Sequence, residues 1–296
     1  MKQSIREKIR PSLIKHKSLY AGLKFSHQIY SELTSSMHIL PDFLIIGTAK
    51  SGTTSLFENL IKHPSIFPPL AQQPNFFTSY YYKGQSWYRS YFPSIISKNL
   101  NQNIKKKKFL TGEGSTQYYW YPHAPKRVKS LLPNVKIILL LRNPIDRSYS
   151  QYQMEFSKGN EELSSFEDAI ELENERIQDE YEKMLQDENY YSKKYTIQSY
   201  ITKSIYVNYI EEWLKYFPRE QFLFLNSEEF NSDTSKVYKK TLNFLEISEI
   251  DLKNYEVFRA AKYSKMNPST RKKLSEFFKP YNEKLYKLID QNFHWD

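Results

Sequence analysis

Short, almost wholly apolar runs recur along the chain and are separated by longer stretches of mixed polarity. The clearest are residues 43–46 (FLII) and residues 136–141 (KIILLL), and weaker runs occupy residues 66–69, 109–113 and 221–225. Continuous apolar runs of this length are typical of strands buried on both faces. Their alternation with helical segments predicts an α/β fold, with a central parallel sheet flanked by helices on both faces.

Helix signals lie between these runs. Asn143 is a good N-cap and Pro144 suits the first turn, so a helix is predicted directly after residues 136–141. Ser164 and Glu167 have the spacing of a capping box at the start of an acidic helical stretch. A further helix is predicted over residues 196–217, and residues 94–108 are predicted to be a surface loop. Residues 1–40 are expected to form an N-terminal helical extension and residues 41–296 one main domain.

The turn after the first apolar run carries the most specific chemistry. Gly47 and Gly52 have the glycine spacing of a nucleotide-triphosphate P-loop, but Thr53 occupies the position where that motif requires lysine. The lysine of this turn, Lys50, lies inside the loop. A loop of this shape directs backbone N–H groups at an anion, and the N-terminus of the next helix adds partial positive charge. The pattern predicts a phosphate site with a chemistry different from ATP hydrolysis.

The residue that follows the apolar run at residues 136–141 also indicates an anion site with a chemistry different from ATP hydrolysis. A metal-dependent nucleotidase carries Asp at such a position to help hold Mg²⁺, whereas this chain has Arg142. A guanidinium opposes a metal ion and can bind a second anionic group bidentately. Ser150, in the following helix, could donate to the same group. A ligand with two separate anionic ends is therefore predicted, and an adenosine 3′,5′-bisphosphate derivative has that form.

Composition limits the remaining possibilities. The net charge of +10 favours an anionic ligand, and the absence of cysteine excludes a thiol nucleophile and a cysteine-based zinc site. The six histidines are scattered, so no metal is expected. No run is long and apolar enough to span a membrane and no secretory signal is recognisable, so a cytoplasmic location is expected. The basic N-terminus could still make peripheral contact with an anionic membrane surface.

Two motifs resemble those of a known enzyme family. PDFLIIGTAKSGTTSL resembles the 5′-phosphosulfate loop of sulfotransferases that use 3′-phosphoadenosine 5′-phosphosulfate (PAPS), and LLRNPIDRSYSQY resembles their 3′-phosphate motif. Further segments, including SIYVNYIEEWLKYFP, are similar to the carbohydrate branch, which contains the heparan sulfate sulfotransferases and bacterial relatives. The resemblance covers roughly residues 41–296, and it implies a sulfotransferase-like domain with a P-loop-type central sheet.

The resemblance also implies roles for individual residues. Lys50 is expected to neutralise the phosphate oxygen that leaves when sulfur moves to the acceptor. The 5′-phosphate is expected to be bound by Ser51, Gly52, Thr53 and Thr54, and the 3′-phosphate by Arg142 and Ser150. A third cationic group is expected from the loop before the C-terminal helix, where this chain offers Arg259 and Lys262.

The chain departs from the family pattern on the acceptor side. Relatives carry a Glu that removes the acceptor proton, and the matching position here is Gln73, followed by Asn75 at a usual histidine position. An amide cannot accept a proton at neutral pH. The rate enhancement of ~10²–10⁴-fold that general-base catalysis typically provides is therefore missing from that position. Glu113 is the best substitute base on sequence grounds, and His123 is a weaker candidate.

The predicted function is transfer of a sulfuryl group from PAPS to a hydroxyl or amine of a saccharide or glycolipid, without a metal and with no nucleic acid as partner. Two alternatives stay open. The substitution at Gln73 is compatible with a weakened or inactive PAPS-binding homologue. A P-loop kinase is the other alternative, although Thr53 and Arg142 both argue against it.

Overall fold

The structure is a computed structural model, and it describes residues 33–104, 108–257 and 264–295. Four strands form one sheet: β1 (Phe43–Gly47), β2 (Gly112–Glu113), β3 (Lys136–Leu141) and β4 (Phe222–Asn226). Their order is β2-β1-β3-β4, and every neighbouring pair is parallel. The predicted α/β fold with a central parallel sheet is confirmed.

Thirteen α-helices lie within the described residues. They are α1 (Thr53–Leu60), α2 (Gly84–Arg89), α3 (Ile95–Asn99), α4 (Ala124–Leu131), α5 (Pro144–Ser157), α6 (Phe166–Glu171), α7 (Glu173–Arg176), α8 (Glu180–Gln186), α9 (Lys193–Gln198), α10 (Tyr206–Leu214), α11 (Ser227–Ser232), α12 (Thr234–Phe244) and α13 (Pro268–Ile289). Short 3₁₀ turns occupy Ser35–Met37, Tyr81–Lys83, Thr202–Ser204 and Arg219–Gln221, and a π turn occupies Leu100–Ile104. None of the helices in these ranges is long and apolar enough to cross a membrane.

The two faces of the sheet bury separate sets of side chains, because successive residues of a strand point in opposite directions. On one face Leu44 and Ile46 pack with aromatic residues of α10, among them Trp213. On the other face Phe43 and Ile45 pack with residues of α1 and α12. Helices on both faces therefore exclude water from the strands and hold the carboxyl ends of β1, β3 and β4 at one edge.

The prediction of one continuous helix over residues 196–217 is wrong. The chain instead forms α9, the 3₁₀ turn Thr202–Ser204 and α10. The buried carboxylate of Glu173 accepts the backbone N–H groups of Tyr200, Ile201 and Thr202, at 2.7–2.9 Å. Those three N–H groups are bonded to a side chain on another helix, so they cannot continue an intrahelical ladder.

Other boundaries differ from the predictions as well. Residues 94–108 contain α3, whose first turn is capped by the Ser94 hydroxyl, rather than only loop. The cap of the acidic stretch is Ser165, which accepts from the N–H of Asp168, so the predicted capping box is displaced by one residue. The strand predicted at 109–113 shortens to β2, and that at 66–69 reduces to one bridge between Ile66 and Leu110. Residues 1–32 of the predicted extension lie outside the described residues.

Candidate active site

The loop between β1 and α1 is held by hydrogen bonds to the neighbouring strand and helix. The backbone N–H of Thr48 donates to the carbonyl of Leu140 on β3, at 2.9 Å, and its hydroxyl lies 2.6 Å from that of Ser51. Ser227, the first residue of α11, donates through its hydroxyl to the carbonyl of Ser51, at 2.8 Å. The loop is thus fixed from both sides before any ligand binds.

Two residues of this loop have left-handed backbone conformations. Lys50 has φ +74° and Gly52 has φ +94°. A Cβ at position 52 would also come within 3.3 Å of the Phe230 ring, so both conformation and space favour glycine there. Because Gly52 is the N-cap of α1 and the first intrahelical bond is Leu56 N–H to its carbonyl, the loop turns directly into the helix N-terminus.

The start of α1 presents backbone donors. The N–H groups of Thr53 and Thr54, in the first turn, have no acceptor within the helix, and the helix dipole places partial positive charge there. Thr53 is buried and Thr54 is exposed. This arrangement suits an anion at the loop, as the glycine spacing predicted.

Arg142 lies against the loop that holds Lys50. Its Nη1 donates to the backbone carbonyl of Lys50, at 3.0 Å. The carbonyl of Arg142 accepts from the hydroxyl of Tyr206 on α10, at 2.7 Å, and the next N–H, of Asn143, donates to Glu228 at 2.9 Å. The two predicted anion-binding motifs therefore meet in one site, because adjacent parallel strands β1 and β3 end at the same edge of the sheet.

The charges around Lys50 favour binding of an anion. Lys50 is half-buried, and burial lowers the pKa of its ammonium; the positive charges of Lys158 and Arg142 lower it further. The carboxylate of Glu155 acts in the opposite direction. A bound phosphate or sulfate would relieve the repulsion among these three cations.

Ser150 lies on α5 with its side chain buried, at 1% exposure. Its Oγ has no hydrogen-bond partner among the described residues. A buried hydroxyl without a partner is unusual and is commonly satisfied by a ligand or a water molecule. This observation is compatible with the predicted phosphate-binding role of Ser150.

The helix that carries Ser150 is fixed by residues the sequence analysis did not identify. The buried guanidinium of Arg147 donates to the Ser204 hydroxyl at 2.7 Å and to the Tyr200 carbonyl at 2.6 Å. The hydroxyls of Ser148 and Ser204 lie 2.7 Å apart. Glu173 anchors the backbone at Tyr200, so the order of the turn that contacts Arg147 and Ser148 depends on a carboxylate distant in sequence. No local sequence signal could have revealed this dependence.

Glu113 is enclosed by hydroxyl groups. Its side chain is fully buried; Oε1 accepts from Tyr88 at 2.6 Å and Tyr118 at 2.8 Å, and Oε2 accepts from Ser115. Burial raises the pKa of this carboxyl group to about 7, although the three hydrogen bonds oppose the shift. Both oxygens are thus directed at protein donors rather than at an open cleft, and the role of Glu113 as a base stays a prediction.

The side-chain amides at the predicted acceptor side differ in their exposure to solvent and in their surroundings. Gln73 is exposed, whereas Asn75 has φ +51° and its backbone N–H donates to Ser115 at 3.0 Å. Gln72 Nε2 and Asn75 Oδ1 are buried and have no partner among the described residues. His123 lies apart from this group of contacts and bonds through Nε2 with the Met184 carbonyl, at 2.5 Å.

Two predicted site residues fall in a part of the chain that the structure does not describe, and one cavity lies outside the candidate site. Arg259 and Lys262 lie outside the described residues, so their predicted role stays untested. A cavity of about 330 Å³ lies at the opposite edge of the sheet, beside Lys136 and Glu246. Those two side chains are ion-paired with each other, with 2.7 Å between the ammonium nitrogen and a carboxylate oxygen.

Comparisons with known proteins show which proteins this chain is similar to. Similar curated proteins include a membrane-associated sulfotransferase of Dictyostelium discoideum (29% identical), the human heparan sulfate glucosamine 3-O-sulfotransferase 6 (27%), and the bifunctional heparan sulfate N-deacetylase/N-sulfotransferase 1 of Caenorhabditis elegans (28%). Each alignment covers 86% of this chain, which spans 66%, 73% and 30% of these three relatives, respectively.

A solved structure extends the similarity to the fold. The crystal structure of a sulfotransferase from Alicyclobacillus acidocaldarius is 27% identical, with a TM-score of 0.63, and the match covers 87% of this chain and 99% of that one. The family model described as a sulfotransferase domain matches residues 40–287, which include both predicted anion-binding motifs. The chain is therefore a transferase that belongs to the sulfotransferase family.

Proposed function

We propose that this protein transfers a sulfuryl group from PAPS to a hydroxyl or amine of a saccharide acceptor. The observation that carries the proposal is the 3.0 Å hydrogen bond from Arg142 Nη1 to the Lys50 carbonyl. It joins the loop predicted to bind one phosphate to the strand end predicted to bind the other. A donor with two anionic ends fits such a site better than a nucleoside triphosphate with one polyphosphate chain.

The residues present fit this donor. The loop residues 51–54 and the first turn of α1 offer backbone N–H groups and hydroxyls for the 5′-phosphate. Arg142 and the Ser150 hydroxyl, which has no partner among the residues that the structure describes, offer donors for the 3′-phosphate. PAPS supplies an activated sulfuryl group when bound. Lys50 places an ammonium where negative charge develops on the departing phosphate oxygen, which stabilises the transition state electrostatically. The backbone of Lys50 is held by the hydrogen bond that its carbonyl accepts from Arg142.

The acceptor class rests on the relatives. Two of the proteins named above are heparan sulfate sulfotransferases by name, and their alignments cover most of this chain. A polysaccharide or oligosaccharide acceptor follows as the first choice, with a glycolipid sugar as the second. A cytoplasmic location, and peripheral membrane contact through the N-terminus, stay predictions.

Binding measurements test the donor. Isothermal titration calorimetry is expected to show much tighter binding of adenosine 3′,5′-bisphosphate than of ATP or AMP, because only the first ligand has phosphates for both ends of the site. Equal or tighter binding of ATP with Mg²⁺ would contradict the proposal and support a kinase.

Transfer measurements test the reaction. With radiolabelled PAPS and heparan sulfate oligosaccharides, both intact and desulfated, we expect Lys50→Ala to abolish transfer. Lys215→Ala is the matched control: Lys215 is exposed, ion-paired with Glu212, and lies just beyond the end of α10 that is remote from Arg142. Loss of transfer in both variants would show that the effect does not come from the loop lysine.

A second possible function is that of a weakened or non-catalytic PAPS-binding homologue, favoured by the exposed amide at Gln73. It predicts tight binding of adenosine 3′,5′-bisphosphate without transfer by the wild type. A large gain of transfer in Gln73→Glu would then identify a latent enzyme. If the wild type transfers and Gln73→Glu does not improve it, a base elsewhere in the site is indicated.

A further inference from the structure

Three consecutive tyrosines are exposed at the surface of the protein. Tyr80, Tyr81 and Tyr82 have 40%, 36% and 71% of their surfaces exposed, respectively. Tyr80 precedes the 3₁₀ turn Tyr81–Lys83, and the other two open it. Large apolar side chains that are exposed next to one another commonly mark a binding surface. We call these three residues the tyrosine platform.

Contacts with buried side chains hold the tyrosine platform in place. The centre of the Tyr81 ring lies 5.3 Å from that of Phe76 and 4.1 Å from the guanidinium carbon of Arg127. The centre of the Tyr80 ring lies 5.4 Å from that of Trp87. Phe76, Arg127 and Trp87 are all buried. Because the rings are ordered beforehand, a ligand that stacks on them loses little binding energy to side-chain ordering.

Hydrogen bonds attach the platform to the segment that contains Gln73 and to the end of β2. The N–H of Tyr80 donates to the carbonyl of Asn75, at 3.3 Å, and the N–H of Asn75 donates to the Ser115 hydroxyl, at 3.0 Å. That hydroxyl in turn donates to the carboxylate of Glu113, the last residue of β2. The platform therefore adjoins the carboxyl end of the strand next to β1.

The order of the strands relates the platform to the direction from which an acceptor approaches. The nucleotide of the proposed donor extends from Lys50, after β1, to Arg142, after β3. In a displacement of the phosphoryl-transfer type, the attacking and leaving groups lie roughly in line, so the acceptor enters on the side away from the nucleotide. In the order β2-β1-β3-β4, the side of β1 away from Arg142 is that of β2. The platform lies on that side.

The size of the exposed area fits a sugar ring better than a protein partner. The three tyrosines together expose roughly 300 Å², since one whole aromatic side chain accounts for about 150–250 Å². A stable protein interface needs about 800 Å² on each side. Residues 83–86 are exposed and are polar or glycine, so the aromatic area ends there. A pyranose has an apolar C–H face and a hydroxyl edge, which match the ring and the O–H group of tyrosine.

We propose that the tyrosine platform binds a sugar unit of the acceptor other than the unit that receives the sulfuryl group, an inference that rests on the proposed function. The acceptor is then an oligosaccharide or polysaccharide that extends from Lys50 past the end of β2. Stacking far from the reacting atoms is equally strong in the ground state and the transition state, so it lowers KM and leaves kcat unchanged. The Lys83 ammonium, 5.5 Å from the centre of the Tyr82 ring, places a positive charge beside this sugar.

Removal of exposed rings tests the platform with little risk to the fold. Tyr80→Ala, Tyr82→Ala and the double variant are compared with Tyr216→Ala, the matched control, because Tyr216 is also exposed and follows the end of α10 remote from Arg142. Transfer is measured with heparan sulfate oligosaccharides, intact and desulfated, and with a monosaccharide glycoside. For the oligosaccharides we expect each lost ring to raise KM roughly 2–10-fold at unchanged kcat. For the glycoside, which has no second sugar unit, the variants are expected to equal the wild type.

Calorimetry gives a second measurement that does not depend on transfer. The same oligosaccharides are titrated into each protein saturated with adenosine 3′,5′-bisphosphate, and the affinities are expected to fall by the same factors as KM rises. If the wild type transfers nothing but its affinity depends on Tyr80 and Tyr82, the platform is supported and the proposed function fails.

The remaining outcomes overturn the inference. Unchanged KM and unchanged oligosaccharide affinity in the double variant overturn it while leaving the transfer function in place, and so does a wild type that transfers but binds oligosaccharides no better than the glycoside. A fall in kcat, or in affinity for adenosine 3′,5′-bisphosphate, assigns the tyrosines to the order of the site instead. A change of oligomeric state in the double variant, measured by analytical ultracentrifugation, assigns the platform to contact with a second copy of the chain.

Discussion

Replacing Glu113 by Gln tests whether the buried carboxyl group of Glu113, near the predicted acceptor side, is desolvated and has a raised pKa. Glutamine has nearly the same shape and keeps an oxygen that can accept from Tyr88 and Tyr118. It cannot ionise. The variant therefore removes the charge while leaving most of the hydrogen-bonded cluster in place.

The size of the effect follows from the pKa. Burial raises the pKa of Glu113 from 4.5 to about 7. A shift of roughly 2.5 units corresponds to about 3 kcal/mol, since each unit is worth about 1.4 kcal/mol. Because the folded pKa is higher than the unfolded one, folding favours the protonated form. The stabilisation is complete below pH 4.5 and is lost as the pH rises through 7.

Chemical denaturation at several pH values measures this contribution. Between pH 4.5 and 8, the free energy of unfolding of the wild type is expected to fall by about 3 kcal/mol more than that of Glu113→Gln. Parallel pH dependences for the two proteins would refute the reasoning and would mean that Glu113 is not desolvated in solution. Tyr118→Phe, which removes one hydrogen bond that favours the ionised form, is expected to increase the pH dependence.

Three further predictions concern other parts of the site. Burial lowers the pKa of Lys203 from 10.5 to about 7, so its ionisation destabilises the fold below pH 7 and ceases to do so as the pH rises towards 10.5. Lys203→Met should therefore stabilise the protein by several kcal/mol more at pH 6 than at pH 10, and equal effects in denaturation at both pH values would contradict this. Gly52→Ala, at φ +94°, is expected to cost about 1–2 kcal/mol of stability and to weaken binding of adenosine 3′,5′-bisphosphate in calorimetry. Transfer activity is expected to persist in EDTA because Arg142, rather than a carboxylate, follows β3; a loss restored by Mg²⁺ would refute it.

The elements that could be predicted are those with local signals. The bounds of β3 agree with the apolar run at residues 136–141, and β4 is displaced by one residue from its prediction. The start of α5 was predictable because Asn143 accepts from the N–H of Ile145 and Pro144 follows it. The break between α9 and α10 was not, since it depends on the side chain of Glu173, which precedes Tyr200 by 27 residues.

The candidate site likewise combines features that could be predicted from local sequence with features that depend on tertiary contacts. The meeting of Lys50 and Arg142 could be predicted, because carboxyl ends of parallel strands lie at one edge and each residue follows a clear apolar run. The enclosure of Glu113 depends on Tyr88 and Tyr118, whose hydroxyls could be assigned to it only from tertiary contacts.

The contact between Arg142 and the Lys50 loop allows one side chain to have two roles in the proposed site. A guanidinium has several N–H donors in a fixed plane, and the bond to the Lys50 carbonyl uses only one of its nitrogens. Arg142 can therefore order the loop and bind an anion at the same time. A lysine at position 142 would carry the same charge. Its single ammonium, however, lacks the planar set of nitrogens that lets one of them bond to the Lys50 carbonyl while the others bind an anion. The guanidinium proposed to bind the 3′-phosphate is thus also the group that holds the backbone of Lys50.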